Sequence, residues 1–216
     1  MNFTEQLWNS ITPIYNAILD LPFIKELTKG TLEEEIFLFY LKQDTMYLAE
    51  FSRALAIAGV RSTNNQQMHD FFSFANEVVV VERELHESYY KQYRVGMDAQ
   101  KSPVCFSYTN FLLSTAATKD NAVNIAALLP CFWIYREVGL QIHEKARPDN
   151  PYKDWIATYA GDEFNQSVNR AIEITDQVAE EGSEVQRKQM MEAFVKSTEL
   201  EWMFWDSAYR QEQWPL

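Results

Sequence analysis

Apolar residues recur at helical spacing along almost the whole chain. Phe3, Leu7, Ile11 and Ile14 share one face and predict a first helix, disturbed at Pro13. Leu21-Pro22-Phe23 breaks the run, and Gly30 ends a short segment. Thr31-Leu32-Glu33-Glu34 has the form of a capping box and opens a long predicted helix that runs to Ala58 and closes at Gly59. Ser62 to Gln67 reads as a polar loop. A second long helix is predicted from Met68 to Tyr93. Within it, Val78-Val79-Val80-Val81 has strand propensity, but Phe71, Phe74, Val78, Val81 and Leu85 keep the helical period. Ser102-Pro103 starts a shorter helix through Leu113, and Asp120 caps one that reaches Ala146. Arg147 to Pro151 is a loop. Tyr152 to Ala160 and Asp162 to Glu181 are helices on either side of Gly161. Gly182 and the box Ser183-Glu184-Val185-Gln186 then start the last, through Arg210.

The pattern predicts an all-α chain: about eight helices and no strand, in one helical-bundle domain spanning residues 1–216. Composition agrees. Six glycines and seven prolines are about half the usual share, too few for a many-turned β fold. A hydrophobic content of 47% argues against disorder. The net charge of −12 would repel phosphate backbones and anionic membranes, so neither nucleic acid nor a membrane is an expected partner. The longest apolar stretch, Ile125 to Tyr135, is too short to span a bilayer. Met1-Asn2-Phe3-Thr4-Glu5 lacks a basic n-region and predicts no signal peptide. Cys105 and Cys131 form neither a disulfide framework nor a metal spacing, and the simplest setting is the reducing cytoplasm.

Three polar residues interrupt apolar stripes. Asp44 lies among Tyr40, Leu41, Tyr47 and Leu48 at helical spacing, with Phe37 and Phe51 a step beyond. An acid there is either structural, satisfied by a tyrosine hydroxyl or a helix terminus, or functional. Cys131 follows Pro130, which should bend its helix by depriving the Ala126 carbonyl of a donor. A buried cysteine is more often an inert core thiol than a nucleophile. Glu201 is the single charge in Leu200-Glu201-Trp202-Met203-Phe204-Trp205. It either snorkels past the aromatics or is a desolvated carboxyl with a raised pKa, suited to proton transfer. Tyr47, Tyr108, Tyr135 and Tyr159 lie on apolar stripes of different helices. They could converge on a flat polar ring or simply pack the core.

The motifs in combination resemble the TenA / thiaminase II (aminopyrimidine aminohydrolase) family. Gln43-Asp44-Thr45-Met46-Tyr47-Leu48 is similar to that family's Q-D-x-x-Y-L, and Pro130-Cys131-Phe132-Trp133-Ile134-Tyr135 to its P-C-x-W-x-Y. Glu201-Trp202-Met203-Phe204-Trp205-Asp206-Ser207-Ala208-Tyr209 resembles its closing E-x-x-F-W-x-x-A-Y, and Gly30-Thr31-Leu32 its G-T-L. Tyr108 and Tyr159 fall where the family has active-site tyrosines. The resemblance implies a heme-oxygenase-like helical fold, a cytoplasmic homotetramer, and no metal or cofactor. It also implies hydrolysis of thiamin, or of 4-amino-5-aminomethyl-2-methylpyrimidine, to hydroxymethylpyrimidine in thiamin salvage or degradation. Cys131 would be the nucleophile on the pyrimidine ring. Asp44 would bind the aminopyrimidine edge and help poise the thiol, and Glu201 would move protons. Tyr47, Tyr135 and Phe204 would surround the ring, and Tyr108 and Tyr159 would complete its hydrogen bonding. Leu21 stands where many members have His, and Leu200 where many have Tyr.

Three other functions compete. A heme-oxygenase-like di-iron oxidase wants Glu-x-x-His pairs. Among His69, His86 and His143, none has Glu three residues before it, and Glu82 and His86 are four apart. Heme binding wants an axial ligand and glycines on the distal helix, but the six glycines here are scattered. A non-enzymatic regulatory or binding protein would have no need of a thiol beside two acids.

Overall fold

A computed structural model describes residues 1–93, 96 and 98–215, with the backbone alone for residues 81–86. Among them there are ten α-helices, one π-helical turn and no β-strand. In chain order the helices are α1 (Phe3–Asp20), α2 (Pro22–Lys29), α3 (Glu34–Arg61), α4 (Asn65–Glu77), α5 (Arg83–Tyr93), α6 (Pro103–Thr118), α7 (Asn121–Lys145), α8 (Lys153–Ala160), α9 (Asp162–Glu181) and α10 (Glu184–Tyr209), with the π-turn Val78–Glu82 between α4 and α5.

The count exceeds eight for local reasons. The span predicted as one helix from Met68 to Tyr93 is divided by the π-turn at the four valines. The backbone there is helical, as the spacing required, but wound to i→i+5. The side chains of Val81, Leu85, Glu82 and His86 lie outside the described residues. Pro13 does not interrupt α1, nor does Pro130 break α7.

Some predicted caps and ends differ. Thr31 does not cap α3, whose N-cap is Glu33 without a side-chain cap bond. The amides of Thr31 and Leu32 instead donate to the Glu26 carbonyl at 2.9 and 3.3 Å, finishing α2. Gly30, at φ 69, supplies the left-handed turn this requires. Asp120 occupies the N-cap position of α7 but makes no cap bond. α4 starts earlier than expected because the Asn64 side chain accepts from the Gln66 and Gln67 amides. The Ser183 cap holds, with the Gln186 amide donating to its hydroxyl at 3.2 Å.

The buried apolar side chains form one contiguous core reaching every helix from α1 to α10. α7 is its axis, packed on α10 and flanked by α9, α8 and α3. By length and mean hydropathy (1.2) α7 could cross a membrane, but 72% of its apolar window is buried inside the bundle. A helix apolar on all sides is a core helix in this setting.

α8 lies against α7 because Gly139 leaves room. A Cβ added there would fall 2.8 Å from Tyr159 Cβ and 3.0 Å from its carbonyl carbon. We therefore expect Gly139→Ala to lower the melting temperature by several degrees and to displace Tyr159, since overpacking against backbone costs about 1–3 kcal/mol. Thermal denaturation followed by circular dichroism checks this, and an unchanged midpoint would show that α8 can slide away freely.

Candidate active site

Five helices bring the singled-out residues to one place. α3 contributes Asp44 and Tyr47, α6 Tyr108, α7 Cys131 and Tyr135, α8 Tyr159, and α10 Glu201 and Phe204. All eight are buried. They form two layers. Asp44, Cys131, Tyr135 and Tyr159 line a cavity of about 20 Å³, together with Leu48, Phe51, Val78, Phe132 and Phe164. Glu201, Tyr47, Tyr108 and Phe204 stand behind it.

The rear layer is organised by Glu201. It is 1% exposed and accepts a hydrogen bond of 2.7 Å from the Tyr108 hydroxyl. Burial raises its pKa from the ordinary 4.5 to about 8, against the Tyr108 hydrogen bond and with help from the charge of Asp44. The carboxyl is therefore held largely protonated at neutral pH. Tyr108 and Tyr47 pack with their rings tilted by 38° at 4.7 Å between centroids, and Phe204 meets Tyr47 at 5.6 Å. Burial pushes both tyrosines well above the usual phenol range, and each also feels the charges of Cys131 and Glu201.

The front layer is a box of rings. Tyr135 packs on Tyr159 at 5.0 Å and on Trp205 at 4.9 Å. It accepts a hydrogen bond of 3.3 Å from Tyr40. Its own pKa is driven well up by burial, then by Tyr40 and Asp44. Flat, apolar walls with hydroxyls and carboxyls at their edges suit a planar heteroaromatic ring.

The two cysteines have different surroundings. Cys105 is fully buried and donates to the Gln43 carbonyl at 3.4 Å. Burial pushes its thiol up to about 12, so it has no nucleophilic form near neutrality. Cys131 opens onto the cavity. Sequence reasoning also missed the task of Gln43. Its amide donates to the Gln100 carbonyl at 3.0 Å and accepts from the Ser102 amide at 2.8 Å. That clamp fixes the start of α6, and hence Tyr108, relative to Asp44 on α3. A buried amide next to a buried acid in Gln43-Asp44 was the available signal. For Val78 and Phe164, wall residues from elements distant in the chain, no signal existed.

Protonation of Glu201 in the fold has a consequence for stability. The folded pKa lies above the unfolded one, so the contribution is complete below about 4.5 and is lost as pH rises to about 8. Glu201→Gln abolishes this dependence. The melting-temperature difference between variant and wild type should therefore widen in the variant's favour across that window and level off above it. A constant difference would place the Glu201 pKa in the ordinary range.

Residues 8–211 match the model of the TENA/THI-4/PQQC family. The chain is 36% identical over 97% of its length to the Thiamine biosynthesis multifunctional protein ThiED of Corynebacterium efficiens, but spans only 28% of that larger protein. It is 32% identical over 99% of its length to an Aminopyrimidine aminohydrolase of Halalkalibacterium halodurans, covering 98% of that chain. Among solved structures, a TenA homologue from P. horikoshii OT3 superposes with a TM-score of 0.88 at 28% identity, over 97% of this chain and 99% of the other. A domain of unknown function with a heme oxygenase-like fold from Shewanella denitrificans superposes at 0.78 with 13% identity, over 96% and 92% of the two chains, which shows the fold alone. The bundle is thus of the heme-oxygenase-like type, and the chain belongs to the TENA/THI-4/PQQC family.

Proposed function

We propose that this protein is a hydrolase that converts 4-amino-5-aminomethyl-2-methylpyrimidine, thiamin, or both to hydroxymethylpyrimidine, as part of thiamin salvage or degradation. The observation that carries this reading is the placement of Cys131 and Asp44 in the lining of one cavity, with a protonated Glu201 behind them. The likeness to aminopyrimidine aminohydrolases supports it.

In this mechanism the Asp44 carboxylate accepts the hydrogens of the 4-amino group and holds the pyrimidine in register. The Cys131 thiolate forms a bond to a ring carbon. The displaced electron pair moves onto a ring nitrogen, which takes a proton from Glu201. The electrons of the resulting adduct then expel ammonia or the thiazole from the exocyclic methylene. Water adds to that methylene and gives up a proton, restoring the Glu201 carboxyl. Expulsion of the thiolate, with the ring N–H proton passing to the departed ammonia or to solvent, reforms the aromatic ring. One water is consumed and one C–N bond becomes a C–O bond. Tyr135, Tyr159 and Phe204 confine the ring, while Tyr47 and Tyr108 hold the proton-transfer geometry. Two free thiols suit a cytoplasmic setting. Self-association as a homotetramer belongs to the same reading, and sedimentation would test it.

Incubation with each substrate, with hydroxymethylpyrimidine followed by chromatography, tests the activity. Turnover of neither would defeat this reading. Cys131→Ala should lower turnover by about 10³-fold or more with the fold intact. Cys105→Ala should stay within about threefold of wild type, because that thiol touches no reacting atom. Substantial turnover by the first variant would remove Cys131 as nucleophile. For Asp44→Asn, affinity for the pyrimidine product should fall by about tenfold, the loss of one buried polar contact. Unchanged binding in calorimetry would make Asp44 structural.

A further inference from the structure

The cavity lined by Asp44 and Cys131 has a larger neighbour. A pocket of about 590 Å³ lies between the end of α4, α8 and the start of α9, walled by Phe74, Ala157 and Thr158, and rimmed by Glu77, Asp162 and Glu163. The two spaces share three wall residues, Val78, Phe132 and Phe164.

Size makes these shared walls significant. The inner space, about 20 Å³, admits one water-sized molecule. A substituted pyrimidine fills several times the ~30 Å³ share of a water, so side chains must move before a ring reaches Cys131. The large pocket is the natural approach, and among the described residues Val78, Phe132 and Phe164 line both spaces.

The three are not equally free. Phe132 is buried and wedged between Phe51, at 5.6 Å, and Phe74, at 5.2 Å. Phe164 lies in the first turn of α9, half-buried, touching Tyr159 edge-on at 5.3 Å. Val78 opens the π-turn, and the next two residues, Val79 and Val80, are exposed at 47% and 42%. A π-turn is a local departure from the α-helical ladder, commonly found where a helix serves a site. The two lips are tied at one edge, where Ser167 on α9 donates to Glu77 on α4 at 2.8 Å.

We propose that Val78 and Phe164 form a gate that admits the substrate past a fixed Phe132. With the pyrimidine ring against Cys131, the leaving group then lies at the gate and reaches into the outer pocket. Phe164 is thereby a specificity-determining residue. It sets how large a leaving group the enzyme accepts, and so the preference between the small amine of aminomethylpyrimidine and the thiazolium of thiamin. The specificity half rests on the hydrolase reading given above. The access half does not.

Two variants and two readouts test it. Phe164→Ala opens the gate and Val78→Phe narrows it. The first readout is alkylation of Cys131 by N-ethylmaleimide, with iodoacetamide as the smaller reagent, quantified by peptide mass spectrometry. Phe164→Ala should speed the maleimide reaction at Cys131 by about tenfold, and Val78→Phe should slow it. Cys105 is the internal control, because general loosening would expose both thiols. The second readout is the ratio of kcat/KM for thiamin to that for aminomethylpyrimidine, which is independent of the fraction of active enzyme. Phe164→Ala should raise this ratio by about tenfold, within the range for reshaping an apolar pocket, and Val78→Phe should lower it. Alkylation rates unchanged, or raised equally at both cysteines, would overturn the gate. A ratio unchanged within about twofold, in an enzyme that turns over both substrates, would overturn the specificity role. If the wild type hydrolyses neither substrate, the specificity role falls with the hydrolase reading while the alkylation result still decides the gate.

Discussion

The site depends on the burial of one carboxyl. Glu201 sits in the middle of α10, the last helix, between Trp and Phe residues and out of reach of bulk water. Left charged and unpartnered there, it would cost several kcal/mol. The Tyr108 hydroxyl supplies the one hydrogen bond among the described residues, and proton uptake relieves the remainder. Both need α6 to be placed closely against α10. The position of α6 is in turn set by Gln43, whose amide ties the residues before α6 to α3. The acid, its phenol donor and the clamp thus form one chain of dependence through three helices.

Around that chain the bundle separates densely packed walls from more exposed ones. Tyr135 is gripped by Tyr159, Trp205 and Tyr40. Asp44 and Cys131 are buried on the long helices α3 and α7. The outer wall instead draws on the first turn of α9 and on a π-turn whose far side faces solvent. Dense packing surrounds Asp44, Cys131 and Tyr135, and exposed structure flanks the outer wall.

Much of this was legible in the chain. Helical spacing announced an all-α fold, and the same spacing exposed Asp44, Cys131 and Glu201 as polar intrusions on apolar stripes. Such residues are visible because a stripe has a period and they violate it. What was not legible is of three kinds. Helix ends moved where backbone partners competed: Thr31 went to the carbonyl of Glu26 at the end of α2, a contact that propensity does not encode. The four valines read correctly as helical, but the change from α to π winding leaves the apolar period nearly intact. Phe164 and Val78 looked like ordinary apolar positions, since only tertiary assembly makes them opposite sides of one opening. Gln43 was in view beside Asp44, yet its partners lie nearly sixty residues on.

The all-round burial of α7 bears on how the chain is made. Its apolar surface has α10 as principal cover, and α10 follows α8 and α9 in the chain. Until then a helix as apolar as a membrane segment stands with one face uncovered. The bundle can form its α3–α4 and α3–α6 contacts early, but the axis closes only through a contact remote in sequence, which makes this the slow, aggregation-exposed stage of folding. The nascent chain is thus most exposed to aggregation while α8 and α9 are being synthesised, and the helix that carries Glu201 is the one that ends this exposure.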